Sequence, residues 1–158
     1  ADLALAMIAS AIVGNALKML LGRPRPKFDD ADYFSGPFGL YPMEIDGQVV
    51  LRHSWEFWAG ISSDLWSMPS THAAAAAIFS VFLWRLYPRL GWLCLVMAGI
   101  VGVARVVLGA HYVSDVLAGW GIGATIGLLV IDARLGVRLL RLDGPAGERA
   151  PTPAASGA

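Results

Sequence analysis

Four stretches of the chain carry no Asp, Glu, Lys or Arg: Leu3–Leu17, Leu65–Trp84, Leu90–Ala104 and Val116–Ile131. A helix that crosses a bilayer needs about 20 largely apolar residues. The first, third and fourth stretches reach that length by taking in Lys18, Arg105 and Asp115. The pattern therefore predicts four spans, Asp2–Leu21, Ser70–Tyr87, Leu90–Gly109 and His111–Arg134, and an all-α transmembrane helical bundle. A soluble protein would need polar helices to cover four such segments, and none remain. The first span lacks the basic leader and the small-residue cleavage site of a signal peptide. Residues 1–142 form one transmembrane domain on this reading, and the Pro-, Ala- and Gly-rich stretch 143–158 is expected to be a disordered tail.

Between the first two spans lies an extramembrane or interfacial segment, residues 22–68. Pro24, Pro26, Pro37 and Pro42 prevent it from being one helix. Its aromatics (Phe28, Tyr33, Phe34, Phe38, Tyr41, Trp55, Phe57, Trp58 and Trp66) suit a belt at headgroup depth. The alternative is a rim that receives a lipid, with Trp55, Phe57 and Trp58 on a short interfacial helix. Gly119, Gly123 and Gly127, spaced by four in the last span, read as a close helix-packing seam, as does the alanine run Ala73–Ala77.

Composition agrees with a membrane protein: 56% of the 158 residues are hydrophobic and 15% charged, against about 25% charged in soluble domains. The net charge is zero, which excludes nucleic-acid binding by bulk positive charge. The single cysteine, Cys94, excludes an internal disulfide and a cysteine-based zinc site. His53 and Asp64 lack a ligand-pair spacing with His72, so no metal site is expected.

Ionisable groups inside spans are costly and are functional hypotheses by default. Successive spans alternate in direction, so the end of the first, the start of the second, the end of the third and the start of the fourth share one membrane face. Lys18 with Arg25, then His72, Arg105, and His111 with Asp115 all fall there. Lys18, Arg25 and Arg105 outnumber the carboxylate, so the site is expected to attract an anion. Arginine forks match phosphate oxygens, and Ser70, after Pro69 at a helix start, stands where free N–H groups favour a phosphate. His111 and Asp115, four apart, are expected on one helical face, with the carboxylate accepting from one ring nitrogen and leaving the other nucleophilic. His72 can protonate a leaving oxygen. The constellation reads as phosphoryl transfer through a phosphohistidine. Arg23, Lys27 and Arg52 are read as solvated or headgroup-contacting.

Three motifs carry a resemblance. Lys-x6-Arg-Pro is met by Lys18 to Arg25-Pro26, Pro-Ser-Gly-His by Pro69-Ser70-Thr71-His72, and Ser-Arg-x5-His-x3-Asp by Ala104-Arg105-x5-His111-x3-Asp115. In this order and topology the chain resembles the type-2 phosphatidic acid phosphatase superfamily. Thr71 stands where that pattern has glycine and Ala104 where it has serine. The resemblance implies His111 as nucleophile, Asp115 orienting it, His72 as general acid, and Lys18, Arg25, Arg105 and Ser70 as phosphate ligands, with no metal or other cofactor. It implies hydrolysis of a lipid phosphate or pyrophosphate monoester at the membrane surface. A phosphotransferase with a lipid or sugar acceptor is the alternative; an anion transporter or a haloperoxidase is more distant. Membrane-spanning relatives usually have six helices, so two are expected before residue 1; the alternative is a short bundle pairing with another chain, and the oligomeric state stays open.

Basic residues number six on each face: Lys18, Arg23, Arg25, Lys27, Arg52 and Arg105 against Arg85, Arg89, Arg134, Arg138, Arg141 and Arg149. Setting aside the three assigned to phosphate leaves three against six. The positive-inside rule then expects a bacterial inner membrane protein with its site on the periplasmic face.

Overall fold

A computed structural model describes residues 1–45, 47–59 and 62–140; the expected disordered tail, 143–158, lies outside the described residues. Four long helices form the body: α1 (Asp2–Leu21), α2 (Thr71–Leu86), α3 (Gly91–Val107) and α4 (Val113–Asp132), followed by a short α5 (Leu135–Leu139). The all-α bundle holds, and α1, α3 and α4 lie in segments long and apolar enough to cross a membrane. The expected second span is the short one. α2 has 16 residues, a rise of about 24 Å against a hydrocarbon core of ~30 Å. Pro69 and Pro88 bracket it, and each interrupts helical hydrogen bonding.

α2 packs most closely on α4, and glycine makes the approach possible. A Cβ on Gly123 would meet the Ala74 carbonyl, with Ala74 Cα at 2.7 Å; one on Gly119 would meet the Ser70 carbonyl. The expected seam is therefore real at these two positions. Gly127 stands off further, its nearest neighbour being Ile78 Cα at 3.4 Å. Ala73, Ala74 and Ala77 of the alanine run are buried. α1 completes the core, where Ala6, Ile78 and Val130 meet. α3 leans on α2 through the Ser80 hydroxyl, which donates to the Cys94 carbonyl at 3.0 Å. It leaves Trp92, Leu95, Ile100 and Val103 exposed, as lipid-facing residues are.

The segment between α1 and α2 is a folded cap. It contains an antiparallel hairpin, β1 (Tyr41–Ile45) and β2 (Gln48–Arg52), with Tyr41 opposite Arg52 and Ile45 opposite Gln48. Tyr41, Met43 and Leu65 form its own small core, flanked by Phe28, Tyr33 and Trp66. The short helix expected at Trp55, Phe57 and Trp58 is a single 3-10 turn, Phe57–Ala59, with all three rings exposed. The cap is stitched to the end of α1 at Gly22, whose φ of 57° closes the helix. Ser35 N–H donates to the Gly22 carbonyl and Gly36 N–H to that of Leu21. The Ser54 hydroxyl donates to Met19 O at 2.5 Å.

Candidate active site

The expected convergence is present. Lys18 and Arg105 stand in the last turns of α1 and α3, His72 and Asp115 in the first turns of α2 and α4, and Arg25 and His111 in the loops that adjoin them. Contributions thus come from the ends of α1 and α3 and the starts of α2 and α4.

The α3–α4 turn explains the spacing of the third motif. α3 ends at Val107, Gly109 takes a φ of 63°, and the N–H groups of Ala110 and His111 both donate to the Arg105 carbonyl, at 3.1 and 3.2 Å. The turn folds the His111 backbone back onto that of Arg105 across the five intervening residues. α4 starts only at Val113. His111 therefore precedes the helix, and the expected shared helical face is replaced by a turn. The reason is that Asp115, three residues past the cap position Tyr112, turns its Oδ2 back to accept the Tyr112 N–H at 2.8 Å.

Asp115 is fully buried and is the hub of the site. Its Oδ2 also accepts the Ser67 hydroxyl at 2.5 Å, and its Oδ1 pairs with Arg23 Nη1 at 2.6 Å. His111, only 2% exposed, has its Nδ1 at 3.7 Å from Asp115 Oδ2 but 2.6 Å from the Ser67 carbonyl oxygen. The hydrogen bond expected with Asp115 thus goes to a backbone carbonyl. A carbonyl only accepts, so Nδ1 is a donor, and in the neutral ring the lone pair falls on Nε2. The carboxylate sits one step behind, where an imidazolium would feel its charge.

Ser70 is fully buried. Its Oγ accepts the Ala73 N–H at 3.4 Å as the cap of α2, and its own N–H donates to the Asp115 carbonyl at 2.9 Å. Ser70 therefore locks the start of α2 to that of α4. His72, in the first turn of α2, is exposed. It stands at the end of an apolar groove of about 510 Å³ between α2 and α3, lined by Ala76, Phe79, Leu83, Met97 and Val101 among others. Lys18 is buried. Arg25 donates from Nε to the Ser63 carbonyl at 2.7 Å, and Arg105 has a buried Nε with no hydrogen-bond partner among the described residues. Thr71, where the motif has glycine, turns its methyl group toward Gly14 of α1.

Arg23, expected to be solvated or headgroup-contacting, is neither: its side chain is 7% exposed and paired with Asp115. Ser67 also escaped the sequence reading. A signal for Arg23 existed, since Arg23-Pro24-Arg25-Pro26 holds two Arg-Pro pairs and only one fits the x6 spacing; Ser67 had none. Lys27 and Arg52 lie outside the cluster, paired with Asp64 at 2.8 Å and Glu56 at 3.0 Å. His53 meets the Gly39 carbonyl at 2.9 Å and stacks on Trp55.

Comparison with known proteins gives a consistent family. Residues 1–136 match the PAP2 superfamily model. A lipid A 1-phosphatase of Rhizobium johnstonii is 32% identical over 135 residues, 83% of this chain and 47% of that protein. One of Rhizobium etli is 30% identical over 135 residues, covering 83% and 49%. The bacitracin transport permease protein BcrC of Bacillus licheniformis is 36% identical over 64 residues, 40% of this chain and 32% of that protein. The chain spans about half the length of the lipid A 1-phosphatases it matches. No solved structure matches. With a family model aligned along most of its length, and with all three motifs meeting at one end of the bundle, the chain belongs to the PAP2 superfamily.

Proposed function

We propose that this chain forms the catalytic part of an integral-membrane phosphatase that hydrolyses a lipid phosphate or pyrophosphate monoester through a phosphohistidine, without a metal ion. One observation carries the proposal: His111 Nδ1 lies 2.6 Å from a carbonyl that can only accept, which leaves Nε2 as the nucleophile. Nε2 attacks phosphorus, the P–O bond to the lipid breaks, and the departing oxygen takes a proton from His72. His72 then receives a proton from the water that attacks the phosphohistidine, and inorganic phosphate leaves. The phosphorylated ring is an imidazolium with its Nδ1 proton on Ser67 O and its charge near Asp115 Oδ2. Lys18, Arg25 and Arg105 hold the phosphoryl oxygens and stabilise the charge that develops on them, with Ser70 at their helix start. Ligands of this number and sign serve where other phosphoryl-transfer sites use a cation.

The apolar groove that begins at His72 supports an amphipathic substrate, as do the names of the rhizobial relatives. A periplasmic face of the inner membrane is supported by charge. With Lys18, Arg25 and Arg105 set aside for phosphate, the active end keeps Arg23, Lys27 and Arg52 against Arg85, Arg89, Arg134, Arg138, Arg141 and Arg149 in the sequence beyond the other span ends, and this three-to-six imbalance supports a cytoplasmic side opposite the site.

The test is phosphate release from a panel of lipid phosphates by the protein in detergent with EDTA present, beside His111→Ala. Release that falls by about three orders of magnitude in the variant is expected for a lost nucleophile. Equal release by both proteins, or none from any substrate, would overturn the proposal.

A further inference from the structure

Arg23 is the least expected member of the site, and its contacts distinguish it from the other cations. Its Nη1 donates to Asp115 Oδ1 at 2.6 Å and to Ser114 Oγ at 2.7 Å. Its Nε and Nη2 donate to the Ala31 carbonyl at 3.0 and 2.5 Å. The guanidinium carbon lies over two rings, 4.4 Å from the centroid of Tyr112 and 5.1 Å from that of Phe34. Four of the five N–H donors of the fork thus have protein acceptors, and two rings lie within cation–π distance of it. Its hydrogen-bonding capacity is spent almost wholly on protein. Pro24 follows, and Gly22 ends α1 just before it, so the residue is held by the turn that leads the chain into the cap.

We infer that Arg23 is a positioning residue for catalysis, fixing the Asp115 carboxylate against His111 and tying that pair to the 31–34 strip of the cap. The inference rests on the phosphohistidine reading above. Arg23 anchors Oδ1, so the carboxylate cannot rotate, and Oδ2 stays between Ser67, Tyr112 N–H and the imidazole. Arg23 acts through Asp115 and does not touch substrate. A lysine cannot take its place. One ammonium on a flexible stem has no planar fork to hold Ala31 O, Ser114 Oγ and Asp115 Oδ1 together.

The experiment compares Arg23→Met, Arg23→Lys, Asp115→Asn and the double variant Arg23→Met/Asp115→Asn with the parent protein, measuring kcat, KM and inhibition by inorganic phosphate. Arg23→Met is expected to lower kcat about 10–100-fold, the range for partners that orient a reacting ligand. KM and phosphate inhibition should stay within about threefold, since no substrate contact is lost. Arg23→Lys should recover only part of the loss. The double variant should match Asp115→Asn within about threefold, because Arg23 has no route to the reaction except through that carboxylate. The comparison also covers a single variant that fails to fold, since the double variant leaves no buried charge stranded. The inference falls if Arg23→Met keeps parental kcat, if its loss lies in KM and phosphate inhibition, or if the double variant drops a further tenfold below Asp115→Asn. A parent protein without His111-dependent release would sink the phosphatase reading and this inference together; an active parent indifferent to Arg23 would sink the inference alone.

Discussion

Gly123 offers the sharpest test of how the bundle positions its chemistry. The three atoms nearest a methyl group there are all backbone of α2: the Ala74 carbonyl oxygen, Cα at 2.7 Å and carbonyl carbon at 2.8 Å. Backbone cannot swing aside as a side chain can. Restoring carbon–carbon contact to about 3.4 Å therefore requires α2 and α4 to part by roughly 0.7 Å. Overpacking of this kind costs about 1–3 kcal/mol, and the better helix propensity of alanine returns up to ~1 kcal/mol. The net loss lies near 0–2 kcal/mol, or a drop in Tm of up to roughly 8 °C at about 2–4 °C per kcal/mol for a protein of this size. Activity should suffer more than stability. Ala74 lies one turn beyond Ser70, which holds the start of α2 to Asp115, and His72 lies between them. A misplacement near 1 Å between reacting groups costs about 10²-fold, so kcat/KM should fall roughly 10- to 100-fold.

The same helix supplies the controls. Gly121→Ala has nothing within 4 Å and should melt at or slightly above the parent temperature with parental turnover. Gly127→Ala meets Ile78 Cα at 3.4 Å, an ordinary contact, and should be tolerated. Gly119→Ala would meet the Ser70 carbonyl itself and should cost at least as much activity as Gly123→Ala. Thermal melts in detergent and phosphate-release kinetics read both quantities. Gly123→Ala with parental kcat and a Tm no lower than that of Gly121→Ala would refute the account of α2–α4 registration.

Two further predictions concern chemistry and one concerns charge at the far end. A quenched reaction with labelled substrate should trap an acid-labile, alkali-stable phosphoenzyme that His111→Asn lacks; label persisting in the variant would displace His111 as nucleophile. Activity should survive EDTA unchanged, and loss restored by magnesium would contradict the assignment of phosphate stabilisation to Lys18, Arg25 and Arg105. Arg85→Ala breaks a pair with Asp132 in which both side chains are about half exposed, so stability should change by less than about 1 kcal/mol; a larger drop in the melt would show a structural role at that end.

The spans were legible because charge-free runs leave a bilayer as their only partner, and the end of α1 was marked by Gly22 and Pro24. Convergence of the cations followed from alternation of direction alone. The hairpin was obscured by the prolines and aromatics around it, although Asp46-Gly47 between Ile45 and Gln48 is a two-residue hairpin signal. The His111–Asp115 geometry was not legible, because a spacing of four suits both a shared helical face and an acidic residue turned back on a helix start. Hydrogen-bond competition for the first N–H groups of α4 decides between them. Arg23 was hidden by ambiguity between two Arg-Pro pairs. What separates them is which acceptors the cap places nearby, Ala31 O for one and Ser63 O for the other, and that is a property of the folded cap.

The distribution of charge explains why the site should bind an anion before any chemistry occurs. Asp115 is the carboxylate at its centre, and Arg23 already answers it. Lys18, Arg25 and Arg105 have no carboxylate within ion-pair distance among the described residues, Lys18 is 6% exposed, and Arg105 Nε is buried without a partner. A buried ammonium grouped with two partly buried guanidinium groups and no paired carboxylate is costly, so the three cations repel one another and a phosphate between them relieves that repulsion. Ligand binding to the folded state raises stability by about 2.7 kcal/mol at a concentration 100 times Kd, a rise in Tm of roughly 5–11 °C. Orthovanadate or inorganic phosphate should produce it in the detergent-solubilised protein, and chloride at matched ionic strength should not. Arg105→Met should start from a higher unliganded Tm than a cost-free site would permit, and should gain less from phosphate, because one source of repulsion and one ligand leave together. A shift matched by chloride, or an Arg105→Met variant that gains as much as the parent, would mean that these cations are stabilised by something other than a bound anion.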